Sequence, residues 1–145
     1  MGNYSSSQTV EDALVQQIGR FRAVGSRQIG FFADTRFYLP STREVEVLLR
    51  DIPLQPTGFL GEVFDCDDYS FVMKAATSIY ARDTLRINAG LCFGIAWGRF
   101  GWRIDPWHSC NWVLHDDMSF SWVEPQDRRP HNPSECLGSL TLILV

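Results

Sequence analysis

The sequence is poor in lysine, histidine and cysteine, and each shortage excludes a class of function. Lys74 is the single lysine among 13 basic residues and the net charge is −4, so no basic patch favours nucleic-acid binding. Four cysteines in 145 residues are too few to predict a disulfide scaffold, and together with the three histidines they lack the paired spacing of a zinc site. No run approaches the roughly 20 apolar residues of a membrane helix. We therefore predict no membrane span and a cytoplasmic, reducing location.

The chain is long enough for one sizeable hydrophobic core, and its patterns predict helices first and strands afterwards. Residues 1–8 are polar and are predicted to be flexible. Capping signals and helical spacing predict helices over residues 9–19, 41–52 and 66–80. Aromatic and β-branched runs predict strands over residues 91–97, 102–104, 107–114, 120–124 and 138–145. The expected fold class is α+β, a single domain over residues 1–145 with N-terminal helices packed on a C-terminal antiparallel sheet.

Cys66 begins the third predicted helix, directly after Asp65, the expected N-cap. The unpaired N–H groups and the positive dipole end of a helix N-terminus stabilise a thiolate. This position is typical of an activated nucleophile, although a small buried cysteine is the commoner role of an intracellular thiol. The other cysteines, Cys92, Cys110 and Cys136, are predicted to be packing residues.

His108 and Glu124 lie on two strands that are predicted to form a hairpin. With a three-residue loop that places Leu114 opposite Met118, His108 and Glu124 face each other directly, with Cβ atoms about 4.5–5.5 Å apart. A carboxylate at that spacing holds one imidazole nitrogen and leaves the other for a thiol. A two-residue loop would instead place the two side chains on opposite faces.

Three short motifs resemble those of a known family: the segment 64–69 around Cys66, His108-x-x-Asn111-Trp112, and Glu124-Pro125-Gln126. Over roughly residues 35–127 the chain resembles the papain-like cysteine protease domain of the fairy-ring mushroom agglutinin family, and related stand-alone bacterial and phage domains. The resemblance implies a compact papain-like fold, a nucleophile helix, and activation by calcium. It also implies a triad of Cys66 as nucleophile, His108 as base and Glu124 as the residue that orients the imidazole.

Two further sets of residues are candidates for supporting roles. Gln126 or Gln55 would add a side-chain donor to the backbone N–H of Cys66 in an oxyanion hole, and Asn111 is a second support candidate. The acidic segment around Cys66 offers the hard oxygen ligands that Ca²⁺ needs. Asp67 and Asp68 are the preferred calcium ligands; an alternative is that these acids only cap the helix. Weaker calcium candidates at the expected hairpin tip are Asp116 and Asp117.

The preferred function is that of a cysteine hydrolase, most simply a peptidase that cleaves a protein or peptide substrate through an acyl-enzyme. One alternative is a thiol acyltransferase or glutamine deamidase that uses the same triad. Another is a non-catalytic phage or bacterial interaction protein that retains the fold. A homodimer is a further expectation that the sequence leaves open.

Overall fold

Strands precede, separate and follow the helices along the chain. The computed structural model describes residues 3–19, 29–31, 34–54, 63–102 and 107–144. Its elements in chain order are β1 (Asn3–Ser6), α1 (Ser7–Gly19), β2 (Ile29–Phe31), β3 (Arg36–Leu39), α2 (Thr42–Asp51), α3 (Cys66–Asp83), β4 (Gly90–Leu91), β5 (Phe93–Phe100), β6 (Trp107–Leu114), β7 (Phe120–Glu124), β8 (Arg129–His131) and β9 (Cys136–Leu144).

The strands form two sheets, and both sheets are mixed. The larger has the order β2-β9-β5-β6-β7-β8 and the smaller the order β1-β3-β4. Pairing is parallel between β2 and β9 and between β3 and β4, and antiparallel in the other ladders described. The prediction of helices followed by one antiparallel sheet is therefore wrong. Short strands near the N-terminus pair with strands far along the chain, and a local pattern does not reveal such partners.

The N-terminal segment forms part of the smaller sheet. Residues Asn3 to Ser6 pair with β3, although the polar sequence predicts a flexible tail. The Asn3 side chain donates a hydrogen bond to the Asp116 carbonyl at 3.3 Å. The Tyr4 ring packs edge-on against Tyr38, with centroids 5.5 Å apart. Ladder pairing of the backbone, which no side-chain pattern of residues 3–6 encodes, gives this segment its order.

Capping boxes begin the second and third helices; the sequence predicted the box at Ser41 and, for the third helix, Asp65 as the N-cap. Ser41 caps α2 together with Glu44, and Asp65 caps α3 together with Asp68. Each box satisfies two N–H groups that have no partner within the helix. The third helix continues to Asp83, three residues beyond the predicted end. Within the described part of the chain, none of the helices is both long and apolar enough to cross a membrane.

The hairpin of β6 and β7 has a register that differs from the expected one. Leu114 pairs with Phe120 and Trp112 pairs with Trp122, so five residues separate the paired strands instead of three. The predicted direct pairing of His108 with Glu124 is therefore wrong. A shift of two residues leaves every side chain on its original face, because side chains alternate with a period of two. Both side chains therefore still point to the same side of the hairpin.

Apolar clusters lie on both faces of the larger sheet. One face packs Trp112 and Trp122, both fully buried, against α1 residues such as Leu14. On the other face, Val113 and Val123 pack against residues of α2 and α3. This second layer fixes α3 across β6 and brings the start of the helix close to the start of the strand.

Candidate functional site

The structure brings Cys66, His108 and Glu124 together at one end of the larger sheet. Cys66 is the first residue of α3, His108 is the second residue of β6, and Glu124 is the last residue of β7. His108 Nε2 lies 2.8 Å from Glu124 Oε2, and both side chains are almost fully buried. The imidazole also forms a hydrogen bond with the partly buried Cys66 thiol. Because Nε2 faces the carboxylate, Nδ1 is the nitrogen that faces the thiol.

The surroundings of Cys66 stabilise its thiolate. The hydrogen bond with His108 lowers the pKa of the Cys66 thiol, burial raises it, and the backbone N–H of Ser109 lowers it again. Asp65 opposes the thiolate through its negative charge. The balance holds the pKa of Cys66 below its ordinary value. Cys92 is the contrast within the chain, because burial raises its pKa to about 12 and keeps it a neutral thiol.

Glu124 is a buried carboxylate with three hydrogen-bond donors. Burial alone would raise its pKa, but the hydrogen bonds and the charge of His108 hold the pKa below the usual glutamate value. Trp102 Nε1 donates to Oε2 at 3.1 Å, and the backbone N–H of Gln126 donates to Oε1 at 3.2 Å. The carboxylate is thereby fixed in one orientation, and it fixes the His108 ring in turn.

No pattern in the sequence predicts the aromatic support behind Glu124. The indole N–H of Trp102 holds the carboxylate. His131 stacks on the Trp102 ring with centroids 4.2 Å apart and bonds to Glu135 through Nδ1. These partners come from segments that are distant in sequence, and sequence spacing alone could not have found them.

Two other predicted support residues, Asn111 and Gln126, have positioning roles. Asn111 is fully buried and its amide donates to the carbonyls of Ser70 and Gly94, so it ties β6 to α3 and β5. Gln126 contributes its backbone N–H to Glu124. Gln55 lies outside the described residues. The structure therefore gives Asn111 a positioning role instead of one in direct contact with the thiol.

The described acids around Cys66 offer only part of the ligand set that Ca²⁺ takes. Ligand atoms of Asp65, Cys66 and Asp67 lie within 4.8 Å of one another. Ca²⁺ takes six to eight oxygen ligands, whereas this group of described residues offers two carboxylates and a thiol. Asp68, a predicted ligand, accepts the N–H of Asp65 in the capping box. A hydrogen bond with Asp65 raises the pKa of Asp67, which also disfavours a fully ionised cluster. At the hairpin, Asp117 accepts the N–H of Ser119 in the turn.

Two large aromatic side chains on the elements that carry the site are exposed to solvent. Trp107, next to His108 along β6, is 58% exposed. Phe71 lies on α3 little more than one turn after Cys66, is 47% exposed and contacts the Trp97 ring. Of these two exposed rings, Trp107 is the one directly adjacent in sequence to a residue of the site.

Comparisons with known proteins identify related sequences and folds. A family profile described as "Agglutinin C-terminal" matches residues 37–130. Two solved chains superpose with TM-scores of 0.75 and 0.73, at 17% and 18% identity. The first is described as a complex of PSL1a with E64. The second is described as the Polyporus squamosus lectin bound to the human-type influenza-binding epitope Neu5Acα2-6Galβ1-4GlcNAc.

The two structural matches show the fold alone, because identity is low. They cover 98% of this chain and 51% and 49% of the solved chains, so this chain spans about half their length. Among curated proteins, no sequence matches this chain.

These findings correct several predictions made from the sequence. The matching family is described as agglutinin and one similar chain is described as a lectin, while neither solved chain is described as a protease. The expected protease family is corrected accordingly, and the expected papain-like fold is replaced by the fold of the two solved chains. The same findings correct the prediction of an enzyme. They correct the cysteine hydrolase and also its acyltransferase and deamidase alternatives. Of the alternatives drawn from the sequence, the non-catalytic interaction protein agrees best with these findings. It does not match them fully, because it did not specify an agglutinin or a lectin.

Proposed function

This chain belongs to the agglutinin C-terminal family, and we propose that it carries a reactive-thiol site at Cys66 that binds an electrophilic ligand covalently. The observation that supports the proposal is the hydrogen bond between Cys66 and the His108 imidazole, which Glu124 holds at 2.8 Å. A thiolate, and not a neutral thiol, is the nucleophile in such reactions. The complex of PSL1a with E64 gives a chemical probe for the site.

The proposed reaction joins one ligand to one thiol. The Cys66 thiolate attacks an epoxide carbon of E64, an S–C bond forms and one C–O bond of the epoxide breaks. The resulting alkoxide takes its proton from the His108 imidazolium. The protein therefore gains the full mass of the compound, because epoxide opening has no leaving group. The proposal concerns this stoichiometric adduct and assigns no turnover.

Intact-protein and peptide mass spectrometry after E64 treatment tests the site. We expect a single adduct, located on Cys66, at neutral pH. Cys92 and Cys110 are fully buried and should remain unmodified in the folded protein. Iodoacetamide, which loses iodide as the S–C bond forms, gives an independent rate measurement.

Two variants and one control separate an activated thiol from an exposed one. His108→Ala removes the hydrogen bond that lowers the pKa of Cys66. Its rate–pH curve for iodoacetamide should move to higher pH, towards that of an ordinary cysteine. Glu124→Gln should slow labelling at neutral pH, while Glu46→Gln, at an exposed acid on α2, should leave it unchanged. Equal rates for the native protein and His108→Ala at every pH would overturn the proposal.

A second candidate ligand is a carbohydrate, because one structurally similar protein is described as a lectin with a bound sialylated trisaccharide. The exposed face of Trp107 supports this candidate, since sugars pack their apolar C–H faces on aromatic rings. We expect binding of Neu5Acα2-6Galβ1-4GlcNAc to the folded chain, measured by calorimetry, and its loss in Trp107→Ala. Phe71→Ala is the matched control at another exposed ring. No heat with the trisaccharide would exclude this ligand and would leave the thiol proposal to its own test.

A further inference from the structure

A second cavity lies away from Cys66, between the later turns of α3, the start of β3 and the segment before β4. Its volume is about 730 Å³, within the range of sites that hold small organic ligands. Among the described residues, four charged side chains line it: Asp34, Arg36, Lys74 and Arg82. Cys66, His108 and Glu124 do not line this cavity. The cavity is therefore a separate feature of the molecule.

Lys74 is the central cation of this cavity. It is the chain's single lysine and is partly buried on α3. Burial lowers the pKa of its ammonium group, and the negative charge of Asp34 compensates only in part. Cys92 also lies nearby, but its thiol stays neutral because burial raises its pKa to about 12. Among the ion pairs of the described residues, none includes Lys74.

The remaining charges leave the cavity positive. Arg36 donates to the Asn88 carbonyl at 2.6 Å, which holds its guanidinium at the cavity without neutralising it. Arg82 is already paired with Asp83 at 2.6 Å. Asp34 is the single acid among the described lining residues, and its charge acts on Lys74. An anion bound in the cavity would be attracted by two cations and repelled by one carboxylate.

Gly90 gives the Asp34 side chain its place at the wall. A Cβ at position 90 would lie 2.3 Å from Asp34 Oδ2 and 3.1 Å from Asp34 Cβ. The carboxylate therefore occupies space that any other residue at position 90 would fill. Asp34→Asn would remove the charge with almost no change in side-chain volume.

We propose that this cavity binds a small organic oxyanion, whose carboxylate or phosphate group lies between the Lys74 ammonium and the Arg36 guanidinium. Such a group supplies the partner that a partly buried ammonium lacks, and charge-assisted hydrogen bonds of this kind are stronger than neutral ones. The remaining volume accommodates the uncharged part of the ligand. This inference does not depend on the Cys66 site.

Lysine labelled with ¹³C at Cε gives a direct test, because the native chain yields one side-chain NMR signal. Inorganic phosphate and malonate are titrated at constant ionic strength, with glycerol as the neutral probe. We expect a saturable shift of the Lys74 signal with at least one anion and none with glycerol. Bound anion should also raise the pKa of Lys74, because a nearby negative charge favours the ammonium form. Saturation by one anion alone would support the proposal and would show whether the ligand carries a phosphate or a carboxylate group.

Four variants complete the test, with affinity measured by calorimetry. Lys74→Met should abolish binding, and Asp34→Asn should tighten it several-fold because the competing carboxylate is removed. Arg43→Gln, at an exposed cation on α2, should change nothing. Cys66→Ser should also bind the anion normally, so failure here is distinct from failure of the thiol site. A non-saturating shift with both anions, or equal affinities for Asp34→Asn and the native chain, would overturn the proposal.

Discussion

At the scale of single residues, Glu124 determines the geometry of the candidate site. It is 3% exposed, and a carboxylate buried to this extent is costly unless it is paired and hydrogen-bonded. His108, Trp102 and the backbone of Gln126 provide those bonds and hold the pKa of Glu124 below its ordinary value against the effect of burial. The same bonds leave one orientation for the imidazole that contacts Cys66.

Trp102→Phe should lower stability in a pH-dependent way. The change removes the N–H that donates to Glu124 but keeps an aromatic ring, so we expect a loss of about 1.5–3 kcal/mol at neutral pH. A carboxylate with a depressed folded-state pKa stabilises the fold above its unfolded pKa and loses this effect as pH falls through the folded pKa. The deficit measured by urea unfolding should therefore shrink at acid pH. Trp97→Phe, at another partly buried tryptophan, is the control, and a deficit that is constant with pH would contradict the prediction.

At the scale of elements, the first turn of α3 has two opposing effects on Cys66. The N-terminus of the helix offers N–H groups and a positive dipole end to the thiolate. The Asp65 side chain caps the helix, but its charge raises the pKa of Cys66. Helix formation and thiol activation therefore place different demands on the same residue.

Two substitutions at Asp65 separate these effects. Asp65→Asn keeps a good N-cap and removes the charge, so the pKa of Cys66 should fall further while stability changes little. Asp65→Ala removes the cap as well and should cost about 1 kcal/mol of unfolding free energy. The ultraviolet absorbance of the thiolate against pH measures the first effect, and urea unfolding measures the second. Asp12→Asn, on α1, should alter neither; an unchanged thiol pKa in Asp65→Asn would show that the charge of Asp65 does not reach the sulfur.

At the scale of the whole molecule, segments that are distant in sequence complete the sheets. β1 pairs with β3 at the N-terminal end of the chain, and β2 pairs with β9, which lies more than 100 residues later. Directly before β8, the Arg128 guanidinium reaches another layer and donates to the carbonyls of Leu49 and Ile52 at the end of α2. Each connection joins residues whose own sequences give no indication of a partner.

Removal of residues 1–6 tests whether the first strand contributes to stability. The deletion loses the edge-on contact of Tyr4 with Tyr38 and the hydrogen bond of Asn3 with Asp116. We expect the unfolding free energy to fall by about 1–3 kcal/mol. Tyr4→Ala should reproduce only the aromatic share, about 0.5–1.5 kcal/mol. A truncated chain as stable as the full one would agree with the flexible tail that the polar sequence predicts.

The sequence by itself determined the features that depend on neighbouring residues. The capping boxes of Ser41 and Asp65 act over three residues, so the starts of α2 and α3 were predicted correctly. Side-chain alternation has a period of two, so His108 and Glu124 share a face even though their expected pairing was wrong. A single-domain organisation and a calcium requirement stay predictions.

Only the tertiary structure decided the features that depend on packing across the chain. Trp102 holds Glu124 from 22 residues away, and Arg36 reaches the Asn88 carbonyl across 52 residues. The parallel strand pairs and the cavity around Lys74 likewise join segments that no local pattern links. The physical reason is that capping and alternation are satisfied within one turn or one strand. A hydrogen bond between distant segments exists only once the core has fixed their relative positions.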